Sequence, residues 1–166
     1  MNAFSRLIRH LCTTTGVGRR AFPEETLKAV EDAIAEGEKR HRAEVRVIVE
    51  PSLGVLAVMD GTTPRERARE LFAHYGVWDT EENCGVLVYV NLADHQVEIV
   101  ADRGVGREIP AQDWQAVCRT MTQGFARGDY HNSTLAALAQ LNALLQEHYP
   151  DDGSVRNQLA DRPVML

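Results

Sequence analysis

Lysine is nearly missing from this chain of 166 residues: only Lys28 and Lys39 are present, and arginine carries the rest of the positive charge. Lys+Arg is 18 against 24 for Asp+Glu, a formal charge of -6. No arginine cluster stands beside interleaved aromatics. A phosphate backbone needs a cationic footprint, so nucleic acid is a poor main partner. Cysteine is scarce too. Cys12, Cys84 and Cys118 form no CxxC, and an odd count makes a poor disulfide framework, which suits a reducing cytoplasm. No apolar run approaches the roughly 18 residues that a membrane helix needs. Met1 to Arg20 carries arginines but no apolar core, so it does not read as a signal peptide. Repeats and low-complexity segments are absent.

What remains is ordinary globular composition, 44% hydrophobic and 25% charged, in a length that suits one domain with a real core. Phe4, Leu7, Ile8 and Leu11 share one helical face beside Arg6, Arg9 and His10. Residues 1–20 therefore read as a short helical segment docked on the domain, or as one that touches a membrane surface weakly. Pro23 followed by Glu24 and Glu25 opens a helix with a buried stripe of Leu27, Val30 and Ile34. Glu44 to Glu50 alternates as a strand, stopped by Pro51. Leu53 to Met59 is apolar and fits a short strand, a helical turn or an insertion. Thr63-Pro64-Arg65-Glu66 is a capping box. Gly85 to Asn91 is a strand covered on both faces, and Gln96 to Ala101 returns antiparallel after a turn at Ala93-Asp94-His95. Two helices follow, one from Pro110 and one capped by Asp129 or Asn132. Residues 151–166 read as a polar, frayed tail. With enough helices to cover both faces of the strands, the expected fold is an α/β three-layer sandwich with a small mixed β-sheet between helices, spanning residues 21–150.

Several segments follow one another in order: Leu71-Phe72, Gly76-Val77-Trp78, Asn83-Cys84-Gly85-Val86-Leu87-Val88, Ala93 to Ile99, Arg103-Gly104-Val105-Gly106 and Phe125-Ala126-Arg127-Gly128-Asp129-Tyr130. Together they resemble the TPM domain, shared by thylakoid lumen repair proteins and bacterial relatives. The resemblance runs from about residue 22 to residue 148. It implies a sheet between helices. It also implies a divalent-cation binder, an accessory factor for membrane complexes or an acid phosphatase. Many members have a signal peptide and a membrane helix, and this chain reads instead as a soluble cytoplasmic variant. Two departures fall inside the motifs: Cys84 intervenes between Asn83 and Gly85, and Asp102-Arg103-Gly104 replaces a Gly-x-Gly loop.

The hairpin joins two loops at its open end. Asp79, Glu81, Glu82, Asn83 and Asp102 can crowd one rim, where hard oxygen ligands suit calcium or magnesium. Asp129 reaches that rim only if the last two helices return over it. The candidate metal ligands are Asp79, Glu82, Asn83, Asp102 and Asp129, with Trp78, Arg103 and Gly104 on the rim. The bland alternative is that these acids are solvated or cap turns. Arg103 would neutralise carboxylates or hold a phosphate. Trp78 plugs the sheet end or forms part of a recognition pocket. His131 could join the rim, His74 packs on Tyr75, and Cys84 and Cys118 fill core space. A phosphatase would polarise phosphate with the cation and protonate the leaving group with an acid. Neither a Cys-x5-Arg loop nor an Asp-x-Asp signature supports it. The expected function is a soluble accessory or binding module working with an envelope-associated protein partner. A metal-dependent acid phosphatase and a structural dimerising domain are the alternatives.

Overall fold

A computed structural model describes residues 3–153 and 157–166. Two short helices come first, α1 (Ala3–Cys12) and α2 (Thr15–Ala21), followed by α3 (Glu24–Glu38), β1 (Glu44–Glu50), α4 (Val55–Met59) and α5 (Pro64–His74). The hairpin β2 (Gly85–Asn91) and β3 (Gln96–Ala101) leads through α6 (Arg103–Gly106) to α7 (Ala111–Phe125), α8 (Tyr130–His148) and β4 (Val164–Met165). The ambiguous stretch after Pro51 is thus helical.

The sheet order is β3-β2-β1-β4. β1 runs parallel to β2 and to β4, and β2 pairs antiparallel with β3. Alternation sorts the β1 side chains. Val45, Val47 and Val49 join Val86, Val88 and Val90 against Val30 and Ile34 of α3, Val117 and Met121 of α7, and Leu138 and Leu141 of α8. Ile48, Leu87 and Tyr89 face the other way, onto Ala68 and Leu71 of α5 and onto Val77. Two helical layers therefore enclose the sheet, as the α/β reading requires, and every residue of β2 is buried. The capping box that starts α5 is complete: Thr63 Oγ1 accepts from Glu66 N at 3.2 Å, and Glu66 Oε2 accepts from Thr63 N at 2.8 Å.

Two expectations change. The segment after Pro150 is not a frayed tail where it is described. Residues 157–166 lie along the β1 edge, and the part of the expected tail at residues 154–156 falls outside the described residues. Glu44 accepts from Gln158 N and Leu159 N at 3.1 and 3.0 Å, and Leu166 N donates to Val49 O at 3.0 Å. The N-terminal segment is docked, but by its polar side. Arg6, Arg9 and His10 point at Asp94 in the hairpin turn, while Phe4, Ile8 and Leu11 are exposed. An ion-pair partner across the fold outweighs the burial that the helical periodicity alone implies.

Candidate functional site

The loop between α5 and β2 is held by close backbone approach. A Cβ on Gly85 would stand 1.8 Å from Val77 O, so only glycine lets the chain leaving α5 cross the start of β2. Thr80 Oγ1 accepts from Cys84 N at 2.9 Å, and Asn83 takes a left-handed φ of 53°. Cys84 is buried, and burial pushes its thiol above the ordinary range, so it is a core residue rather than an attacking thiolate.

The second loop meets the first as the hairpin geometry requires. Asp102 N donates to Gly85 O and Gly104 N to Asn83 O, both at 2.9 Å. A Cβ on Gly104 would come within 2.4 Å of Glu82 O and 2.6 Å of Asn83 O. Glu82, Asn83, Asp102, Arg103 and Gly104 therefore belong to one rim, at the amino ends of β1 and β2, and Asp79 lies earlier in the same α5–β2 loop. The side chains there are not equivalent. Asp79, Asn83 and Arg103 are exposed. Asp102 Oδ1 caps α6 by accepting from Arg103 N at 2.7 Å. Glu82 Oε2 accepts from Arg42 Nη1 at 2.8 Å and from Tyr149 OH at 3.0 Å. The Arg42 guanidinium also lies over the Tyr149 ring at 4.2 Å. Burial and the bond to Glu82 push the Tyr149 hydroxyl up to about 12. Glu82 thus ties the loop to the strand entry and to the end of α8.

Asp129 does not reach this rim. Tyr149, just past the end of α8, touches Glu82, and α8 has 19 residues. At 1.5 Å per residue its other end is about 28 Å away. There Asp129 Oδ1 caps α8 by accepting from Asn132 N at 3.2 Å, and His131 Nδ1 meets Thr26 Oγ1 at 2.8 Å. His131 leaves the rim with it. Trp78 does not plug the sheet end: it is 55% exposed beside Asp79. His74 packs edge-on against Tyr75.

Among the described residues, no group of three or more His, Cys, Asp and Glu side chains is placed to hold a metal ion. With Glu82 engaged by Arg42, a cation at the rim would draw on Asp79, Asn83, Asp102 and backbone carbonyls. The sequence reading missed Arg42 and Tyr149. It also missed an open cavity of about 410 Å³ beside the rim, lined in part by Arg65, Ala101, Trp114 and Cys118. Trp114 is half-buried and packs against the main core, and burial pushes the Cys118 thiol up to about 11. Arg42 precedes a strand and Tyr149 follows the last helix, a pairing that no local spacing reveals.

The model of the TPM domain family matches residues 19–144, more than half of the chain. The chain belongs to the TPM domain family. Among solved structures it is similar to the NMR structure of the BA42 protein from the psychrophilic bacterium Bizionia argentinensis. The TM-score is 0.75 and the identity 22%, covering 86% of this chain and 93% of that one. At that identity the likeness speaks for the fold of this TPM domain. No curated protein matches the chain. No helix among the described residues is long and apolar enough to cross a membrane.

Proposed function

We propose that this TPM domain is an accessory or binding module whose working surface is the hairpin-end rim. It binds calcium or magnesium weakly through Asp79, Asn83 and Asp102 and presents Trp78 to a protein partner at the cell envelope. The observation that carries this reading is Trp78, 55% exposed on a loop fixed by Gly85, Gly104 and the Glu82–Arg42 pair. A large aromatic held outward by a rigid frame is the kind of residue that anchors interfaces, because little conformational freedom is lost on binding. Exposed oxygen ligands beside it suit a hard cation that keeps several waters.

Calorimetric titration with calcium and with magnesium tests the cation. Heat of binding in the native protein, lost in Asp79→Asn and Asp102→Asn, is the expected outcome; equal heats in all three proteins contradict it. The acid phosphatase alternative is tested on the same three proteins with a phosphomonoester substrate. Because Glu82 is engaged and Cys84 is buried, no turnover above background is expected. Turnover that falls in both variants would favour the enzyme instead.

A further inference from the structure

Residues 157–166 form a strap across the outer edge of β1, and the first half of the strap is held mostly by polar contacts. Glu44 Oε2 accepts from Gln158 N and Leu159 N at 3.1 and 3.0 Å. Arg46 Nη1 donates to Ala160 O and Arg162 O. Arg162 reaches Glu24 at the start of α3. Gln158 Oε1 accepts from Glu81 N at 2.9 Å, which joins the strap to the loop before β2. β4 adds two ladder positions, opposite Ile48 and Val49. Residues 157–162 are all exposed or half-buried.

Asp161 is the weak point of this arrangement. Its carboxyl lines one small cavity with the carboxyl of Glu38, at the end of α3, and the two meet in a hydrogen bond. Two carboxyls can bond only when a proton lies between them. Glu38 holds that proton. Its residue is only 5% exposed, and burial pushes its carboxyl up to about 8 against the opposing bond from Val45 N, with Glu44 and Asp161 adding like charge. The surrounding cations are engaged elsewhere. Lys39, in the same cavity, pairs with Glu36, and Arg162 pairs with Glu24. Arg46 is directed at strap carbonyls, and Arg40 at Gln146 of α8. In the turn after α3, burial lowers the pKa of His41 and keeps its ring neutral. Loss of the proton therefore leaves two carboxylates in contact, with Glu44 nearby. α3 cannot yield, because Val30 and Ile34 fix it in the core. The strap can, because elements with little buried surface open first.

We propose that residues 157–166 are a pH-released strap: when the proton shared by Glu38 and Asp161 is lost, the segment lifts from β1 and lets go of Glu81. The strap is held while Glu38 keeps its proton and is freed as pH rises through about 8. Release uncovers the edge of β1 and removes one support of the α5–β2 loop. The proposal does not rest on cation binding at the rim.

Carbon-detected NMR of the isotope-labelled full chain tests it, because carbonyl signals survive at alkaline pH. The side-chain carboxyl of Glu38 and the backbone carbonyls of Gln158, Ala160 and Arg162 are expected to titrate together, with a common midpoint. The open population is expected to rise at least about tenfold between about pH 6 and about pH 9, while the carbonyls of β2 stay in place. Glu38→Gln is expected to leave the strap carbonyls unmoved over the whole range. Asp161→Asn, on the strap itself, is expected to lower the midpoint of Glu38. Strap carbonyls that stay fixed while Glu38 titrates overturn the proposal. So does strap movement that Glu38→Gln retains, or movement of β2 in parallel with the strap, which would mean global unfolding.

Discussion

Glu38 ends α3 with one oxygen, Oε1, accepting from Val45 N at 2.7 Å. Burial raises its pKa to about 8, and the nearby Glu44 and Asp161 push the same way. The sign follows from proton counting. Between about pH 4.5 and about pH 8 the folded protein holds a proton on Glu38 that the unfolded chain has lost, so this group's contribution to stability falls as pH rises. Glu38→Gln keeps an acceptor for Val45 N–H and cannot ionise. Urea denaturation from pH 5 to pH 8 is expected to show the native protein losing stability relative to the variant across that window. Parallel profiles would contradict this. Gly104 supplies a second test at this scale. A Cβ there meets two backbone carbonyls, which cannot rotate away, so Gly104→Ala is expected to cost about 1–3 kcal/mol in urea denaturation and to shift the rim amides. Some residue roles were legible: Cys84 as a core filler, and Asp129 as one of two candidate caps of the last helix, alongside Asn132. Glu82 was not, because its partners Arg42 and Tyr149 are 40 and 67 residues away in the chain.

Among elements, those with a local signal were read correctly, including the capping-box helix α5 and the buried strand β2. The failures share a physical cause. β4 has two residues, too few for alternation to show, and exists because β1 offers an edge and Glu44 accepts two amide hydrogens from residues 158 and 159. α1 has a clear helical period, but that period does not say which face points inward, and Asp94 settles it from a distant turn. Ending the chain before Asn157 is expected to expose the β1 edge and Ile48. It should lower the melting temperature by several degrees and promote self-association, because an unpaired edge beside apolar surface templates strand addition. Scanning calorimetry and size-exclusion chromatography would check both effects. An unchanged melting temperature would mean that β4 contributes nothing to the sheet's stability.

For the whole molecule, the hairpin is what made the meeting of the two loops legible in the sequence. An antiparallel return necessarily brings the loop before β2 beside the loop after β3, and the bonds from Gly104 to Asn83 and from Asp102 to Gly85 confirm that closure. The length of α8, which carries Asp129 and His131 to the opposite end, was equally implicit in the helical pattern, but its direction over the sheet was not. The rim that results has Trp78 and exposed oxygens on a rigid base. Amide chemical shifts of the isotope-labelled protein, followed during addition of calcium and then magnesium, test it most directly. The expected result is saturable movement at Trp78, Asp79, Asn83, Asp102 and Gly104, with little change at Asp129. Unmoved rim amides at millimolar cation, or movement confined to other parts of the chain, would contradict the rim as the cation-binding surface.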